Sequence, residues 1–526
     1  MAFSSLETKH VPEYAEGGLD IHSKPTALME SGHLEHAPVR KIAMEPPELV
    51  KKMSHEERLH AEKLLLRKID SRLLPAAIIM YIMNYLDRNN IAAARIAGPN
   101  GKGLQDELKL TSTQYQTAIS ILFVGYLIMQ VPSNLILNKM GKPALYLPTV
   151  MIVWGVISAA TGAVQNYGGL IACRFFLGFV EAAYFPGLLF FLSSWYTRKE
   201  LGLRTALLYS GSLISGAFSG LITAGITRGL TDARGLRAWR WMFIIEGSIT
   251  VVIAFGAYFV LPNFPRTTSW LTDEERQLAV WRLGEDIGED DWVSSGDQSF
   301  WHGFKLAVQD IKMWILMVLL TGIVSAGSVT NFFPTVVQTL GFGTIETLLL
   351  TAPPYVLAVI TALTNAWHAD RTGERYWHIT LPLYVAIASF ILAAATTSTA
   401  PRYVAMMLMV PGCYTGYVVA LGWISNCIPR PPAKRAAALA AINAVSNCSS
   451  IYASYMYPQS AGPRYVVAFS VDCSTAALSI IAATTLRFIL VRLNKKLDKG
   501  EHVEGAINSG AGVPGEAAEK GFRFLI

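Results

Sequence analysis

The sequence predicts an all-α integral membrane protein with twelve transmembrane helices in two six-helix halves. Three observations predict it. Hydrophobic residues make up 52% of the 526 and charged ones only 16%, too apolar a balance for an ordinary soluble surface. The charges are unevenly placed, with 22 in residues 1–71, 15 in 262–312 and 12 in 487–526, so two long charge-poor blocks flank a charged middle. Each block has room for roughly six crossings of about 20 apolar residues.

Residues 1–50 are polar and aperiodic and read as a disordered cytoplasmic tail; they contain no apolar run resembling a secretory signal. Ser54 with Glu57 three residues later marks a helix start, and 51–72 then reads as an amphipathic cytoplasmic helix with Lys63, Arg67, Lys68 and Arg72 beside Leu59, Leu64, Leu65 and Ile69. The N-terminal half, 73–261, holds spans near 74–96, 113–138, 143–163, 168–195, 205–227 and 241–261. Residues 262–312 form a cytoplasmic linker, in which Thr272 and Glu275 predict a second capped helix with Leu278, Trp281 and Leu283 on one face. The C-terminal half, 313–490, holds spans near 313–338, 346–367, 378–398, 402–427, 436–457 and 465–490, and 491–526 is a cytoplasmic tail.

Orientation follows from Lys and Arg. The connections at Lys139/Lys142, Arg198/Lys199/Arg204, Arg371/Arg375 and Arg430/Lys434/Arg435 are basic and placed in the cytoplasm, whereas alternate connections are nearly uncharged. Residues 228–240, with Arg228, Arg234, Arg237 and Arg240, are the exception. Two equal blocks with both ends on one side outline a transporter whose site lies between paired halves, although a channel or membrane enzyme shares that span count.

Several classes are unsupported. A net charge of +6 does not call for nucleic acid. The five cysteines, Cys173, Cys413, Cys427, Cys448 and Cys473, fall in apolar stretches without a Cys-x-x-Cys pair, which argues against a disulfide framework and a zinc site. No Walker A sequence, His-rich cluster or nucleophile elbow is present, so neither an enzyme nor a cofactor is expected.

Ionisable residues inside spans are costly and therefore become functional candidates. Asn84, Asp87, Arg88 and Arg95 share a face of the first span, Arg174 and Glu181 a face of the fourth, and Glu246 and Asp472 stand in the sixth and twelfth. At a rise of about 1.5 Å per residue, Asp87, Arg88, Arg174 and Glu246 fall in one outer-side cluster with Glu181 beneath it near the midplane. Arginine binds an anionic group by a planar fork, and a carboxylate in a low-dielectric interior takes up a proton; the plainer reading is a neutral structural pair joining helices. Arg88, Arg174, Asn331, Asn443, Asn447 and Tyr414 are thus candidate substrate contacts, and Asp87, Glu181 and Glu246 candidate proton-coupling groups. In the fifth span Gly211, Ser215 and Ser219, interleaved with Ser212, Gly216 and Gly220, repeat every four residues and predict close helix packing.

Ala369-Asp370-Arg371-Thr372-Gly373-Glu374-Arg375 resembles the Asp-Arg-x-Gly cytoplasmic loop of the major facilitator superfamily, and Asn138-Lys139-Met140-Gly141-Lys142-Pro143 is its counterpart with Asn in place of Asp. Asn84 to Ile91, Arg174 to Ala182 with Pro186-Gly187, and Trp239-Arg240-Trp241 through Glu246-Gly247 together resemble the anion:cation symporter family, the fungal allantoate/nicotinate permease branch. The resemblance covers roughly 70–490 and implies the major facilitator fold, alternating access, and proton-coupled import of a small carboxylate or vitamin. It implies that Arg174 helps bind the anion, that Glu181 couples protons, and that Asp370, Arg371, Gly373, Lys139 and Gly141 act in cytoplasmic gating. The expected partners are a small anion, protons and the lipid bilayer, with the chain monomeric and in the plasma membrane. Export of a metabolite and nutrient sensing on the same scaffold are the alternative readings.

Overall fold

Ser54 caps the first long helix as its spacing to Glu57 predicts. Its hydroxyl accepts from the Glu57 amide at 3.3 Å, and the Glu57 carboxylate accepts from the Ser54 amide at 2.8 Å. The structure, a computed structural model, describes residues 47–99, 102–287, 300–428, 432–501, 503 and 523–526. Most of the N-terminal tail, the linker residues 288–299, Arg430 and most of the C-terminal tail lie outside the described residues.

Helix α1, His55–Ala94, runs 40 residues through Pro75, so the amphipathic segment and the first span are one helix and not two elements meeting near residue 73. There follow α2 (Ser112–Met140), α3 (Pro143–Thr161), α4 (Tyr167–Glu181), α5 (Tyr184–Ser193), α6 (Arg198–Leu230), α7 (Ala238–Val260), the linker helices α8 (Asp273–Ile287) and α9 (Phe300–Gln309), then α10 (Ile311–Ala326), α11 (Phe333–Gln338), α12 (Thr344–Leu350), α13 (Ala352–Thr372), α14 (Tyr376–Ala395), α15 (Thr399–Cys427), α16 (Pro432–Ala453) and α17 (Val466–Asp498). Helix α17 continues past the predicted span end near 490.

Nine helical stretches among the described residues are long and apolar enough to cross a membrane. Helices α1, α2 and α16 occupy the remaining predicted positions. Asn84, Asp87, Arg88 and Asn90 dilute the apolarity of α1, and Asn443, Asn447 and neighbouring serines that of α16. Successive crossings alternate in direction, so one end of the bundle carries the start of α1 and the end of α17. That is called the near end here, and the opposite one the far end.

Two crossings are broken at mid-depth. Pro186 has no N–H to offer the Ala182 carbonyl, and the helix is interrupted between Glu181 and Tyr184. Before Pro334, residues Gly327–Phe332 tighten into a 3-10 turn that carries Asn331. The backbones of α2 and α4 touch at Gly178, where a side-chain carbon would sit 2.8 Å from the Leu122 carbonyl carbon, so no larger residue fits.

The halves meet at the far end. Gly216 and Gly220 of α6 receive Tyr355 and Thr351 from the other half, and a side-chain carbon at Gly220 would lie 2.6 Å from the Leu348 carbonyl oxygen. The small-residue stripe of the fifth span thus serves two contacts, Gly216 and Gly220 facing the other half and Gly211 facing Ile78 and Ile82 of α1. Arg95 reaches Thr335 at 3.4 Å, Thr117 meets the Tyr455 hydroxyl at 3.0 Å, and Ser120 donates to the Ile451 carbonyl at 3.1 Å.

At the near end α8 docks on the N-terminal half. Thr272 and Glu275 form the predicted capping box, and Lys68 donates to both Glu275 oxygens at 2.8 and 2.7 Å. Partial burial pushes the Glu275 carboxyl up, but Lys68 and Thr272 outweigh it and hold the group below its ordinary value. Arg282 binds Glu200 at 3.1 and 2.8 Å, and Arg204 forks onto Asp70 at 2.9 and 2.7 Å.

Candidate functional site

Helices α1, α4 and α7 bring five of the sequence-predicted ionisable residues together. Arg88 and Glu181 form an ion pair, Nε to Oε2 at 3.0 Å, in which the Glu181 side chain is fully buried and the Arg88 side chain is 11% exposed. The Arg88 guanidinium lies over two tyrosine rings, 5.1 Å from Tyr85 and 4.8 Å from Tyr126. The other Glu181 oxygen has no hydrogen-bond partner. The break after residue 181 thus leaves a half-satisfied carboxylate at the point where α4 is least constrained.

Arg174 is placed differently. It is buried, and it donates from Nε to the Ala118 carbonyl at 3.3 Å and from Nη2 to the Arg88 carbonyl at 3.2 Å, tying α4 to α2 and α1. Its Nη1 is buried without a partner. Three donors in a rigid fork, two of them used on backbone, position the segment that carries Arg88.

Asp87, next to Arg88 but about 100° round the helix, turns away from it. Its two oxygens accept from Ser158 at 2.6 Å and Thr250 at 2.7 Å, and among the described residues no cation pairs with it. Glu246 is buried beside it, with Asp87 as its charged neighbour, Asn90 alongside and neither oxygen hydrogen-bonded. A carboxylate at this depth bears a desolvation cost, which marks both residues as functional candidates.

The C-terminal half supplies the polar candidates less directly. Tyr414 bonds Thr330 at 3.1 Å, and its ring meets that of Tyr417, which packs 4.9 Å from Tyr209 of the other half. Asn331 is half-buried in the 3-10 turn. Asn447 donates to the Asn443 carbonyl and side chain at 2.9 and 2.6 Å, so that stripe is bonded partly to itself. Asp472 is buried and accepts from Tyr457. The Tyr457 ring stacks on Phe332 at 5.2 Å, and Phe332 meets Tyr115 edge-on at 6.5 Å. The Arg95 guanidinium lies over Tyr115, so these rings bridge the halves at the far end.

The predicted gating residues sit at the near end. Asp370 pairs with Arg375 at 2.6 Å, and Arg371 lies over Trp367. Gly373 (φ 71°) and Gly141 (φ 63°) end α13 and α2 in the left-handed conformation, a terminating role that glycine fills without strain. The Lys139 side chain lies outside those described.

Sequence reasoning passed over Tyr85, Tyr126, Ser158 and Thr250. Tyr81, Tyr85 and Arg88, spaced by four and three on α1, carried a readable signal of one aromatic and basic face. The hydroxyls of Ser158 and Thr250 carried none, since only the fold aims them at Asp87.

The profile of the Major Facilitator Superfamily matches residues 77–454. The chain belongs to the Major Facilitator Superfamily. Similar curated proteins are the MFS transporter prlL of Fungal sp., 33% identical over 71% of this chain and 75% of its own length, and the MFS-type transporter efuF of Hormonema carpetanum, 32% identical over 79% and 82%. The MFS-type transporter cnsO of Penicillium expansum is 32% identical over 89% of this chain and 91% of its own. Among solved structures, a bacterial homologue of the human lysosomal transporter Spinster, inward-facing and occupied, aligns with TM-score 0.59 at 14% identity, covering 80% of this chain and 97% of that one. The xylose transporter XylE from E. coli, partially occluded and inward open, aligns with TM-score 0.58 at 15% identity, covering 80% and 98%. At such identity the likeness is one of fold. The protein is a multi-pass membrane transporter of this superfamily.

Proposed function

We propose that this transporter moves a small organic anion, a carboxylate or vitamin-like acid, together with protons by alternating access. The observation that carries the proposal is the Arg88–Glu181 pair: a partly exposed guanidinium in a tyrosine cage, held by a fully buried carboxylate. A substrate carboxylate reaching Arg88 competes with Glu181 for the same fork. Once displaced, Glu181 is a fully buried carboxylate that has lost its ion-pair partner, with Arg174 left as the cation that still acts on it without an ion pair, and taking a proton neutralises it. Anion binding and proton binding are coupled by that exchange.

Arg174 acts in this scheme through the Arg88 backbone, as a positioning residue and not as the primary anion contact. Asp87 and Glu246 form a second protonatable pair behind it, and Tyr209 with Tyr417 closes the path between halves. Far-end contacts through Gly216, Gly220 and Arg95 break and re-form as the halves rock. The resemblance to the anion:cation symporter family supports import, with both termini cytoplasmic and the protein in the plasma membrane.

Uptake of a panel of radiolabelled small carboxylates into cells expressing the protein, with and without a protonophore, tests this reading. Uptake of one acid, driven by external acid and abolished by the protonophore, is expected. Accumulation of an internal compound in a deletion strain, without any uptake, would favour export instead.

A further inference from the structure

A second basic site lies at the near end of the C-terminal half, separate from Arg88 and Glu181. Helices α9, α10, α16 and α17 enclose a cavity of about 390 Å³. Its lining combines Lys312, Lys434, Lys496 and Asp310 with apolar residues such as Ile311, Ile489 and Leu493. Lys312 and Lys434 are buried, their side chains only 6% and 7% exposed. Among the described residues, Asp310 is the one carboxylate within ion-pairing distance of either, at 3.5 Å from Lys312 and 2.8 Å from Lys434.

Asp310 is already committed, since it also caps α10 by accepting from the Lys312 amide at 3.0 Å. Burial pushes its carboxyl up, but the two ammonium groups outweigh this and hold it below its ordinary value. Two buried cations on one carboxylate leave a positive charge that an anion would neutralise. The cavity lies where the apolar span begins. Ile311 and Trp314 beside it are exposed, Ile311 to 60%, as expected of residues at a bilayer boundary. The ligand that matches has an anionic head for the lysines and a hydrocarbon portion for the apolar lining.

We infer that this cavity binds the phosphate headgroup of an anionic phospholipid, with the upper part of an acyl chain along Ile311, Ile489 and Leu493. The lysines neutralise the phosphate, and the apolar lining distinguishes a lipid from a free phosphate. Basic pockets between membrane helices are suited to such headgroups. The site joins α10, α16 and α17, so an occupant braces the near end of that half.

The test uses the full-length protein, delipidated in neutral detergent and supplied in separate arms with phosphatidic acid, phosphatidylcholine, glycerol 3-phosphate or inorganic phosphate. Retained ligand is counted by native mass spectrometry, and thermal midpoints are recorded in parallel. About tenfold preference for phosphatidic acid over phosphatidylcholine is expected, with a raised midpoint that neither soluble phosphate reproduces. Lys434→Gln should lower retention about tenfold, the loss of roughly one charge-assisted hydrogen bond. Lys496→Gln, at the exposed rim, should fold normally and lower retention less, so it decides the matter if Lys434→Gln misfolds. Equal retention of phosphatidylcholine, equal protection by glycerol 3-phosphate, or unchanged retention in Lys496→Gln alongside a misfolded or unaffected Lys434→Gln would overturn the inference.

Discussion

Glu181→Gln separates the two roles that the Arg88 pair can play. Removing one member of a buried ion pair typically costs about 3–5 kcal/mol, because the survivor is left charged and unpaired. The Gln carbonyl can still accept from Arg88 Nε across the 3.0 Å now spanned by Glu181 Oε2, recovering part of this as a hydrogen bond to a charged group, about 1.5–3 kcal/mol. The substrate-free variant should therefore be less stable than the parent by about 1–3 kcal/mol, with a lower thermal midpoint. Adding substrate should restore that midpoint, because the anion pairs with Arg88 again. Apparent affinity should rise about tenfold or more, since the substrate no longer displaces a carboxylate, and ~1.4 kcal/mol suffices for that change. In proteoliposomes, exchange of internal for external substrate should persist while accumulation against a gradient is lost. Full accumulation with unchanged pH dependence and affinity would refute the exchange of Glu181 for substrate.

Three further outcomes are expected. Arg88→Lys should raise the apparent KM for the anion about tenfold or more because the planar fork is lost, whereas Arg174→Lys should lower thermal stability by about 1–3 kcal/mol as a carbonyl bond is lost, with KM nearly unchanged; transport assays and melting curves on the two variants distinguish these. Gly220→Val places a carbon 2.6 Å from the Leu348 carbonyl oxygen and should wedge the far end apart, read as increased labelling of a cysteine introduced at position 117 and slowed transport. Lys68 and the Thr272 cap hold the Glu275 carboxyl below its ordinary value, so docking of α8 should persist at neutral pH and weaken as pH falls through and below about 4, with Glu275→Gln insensitive over that window in hydrogen-exchange measurements on the linker.

The architecture was legible because hydropathy and charge report on the bilayer, which acts on each span separately. Ser54 and Thr272 marked helix starts through chemistry contained within four residues. Pro75 and Pro186 show where such local reading stops. Both are prolines in apolar stretches, yet α1 passes through one and the fourth crossing breaks at the other, a difference that the local sequence does not carry. Of the arginines of 228–240, which disturbed the charge pattern, Arg240 is explained by its partners. Arg240 binds Glu107 at 2.9 Å and the Gly162 and Val164 carbonyls, so it is buried structure and not a free surface charge. Spacing put Asn84, Asp87, Arg88 and Arg95 on one face of the first span, but the consecutive residues Asp87 and Arg88 turn to different neighbours. It could not show that Arg88 pairs with Glu181 while Asp87 turns to Ser158 and Thr250, since those contacts join residues 71 to 163 positions apart. The stripe from Gly211 to Gly220 was readable as a packing face, but its counterparts, α1 at Gly211 and Tyr355 with Thr351 at Gly216 and Gly220, were not.

Proton uptake on substrate binding distinguishes coupled from uncoupled occupation of Arg88. Calorimetric titration of the purified protein with its transported acid, in two buffers of different ionisation enthalpy near neutral pH, gives the number of protons taken up per anion bound. About one proton per anion is expected for the parent and none for Glu181→Gln, with both binding the acid. Binding without proton uptake in the parent, or with the same uptake in Glu181→Gln, would contradict the coupling of Arg88 and Glu181.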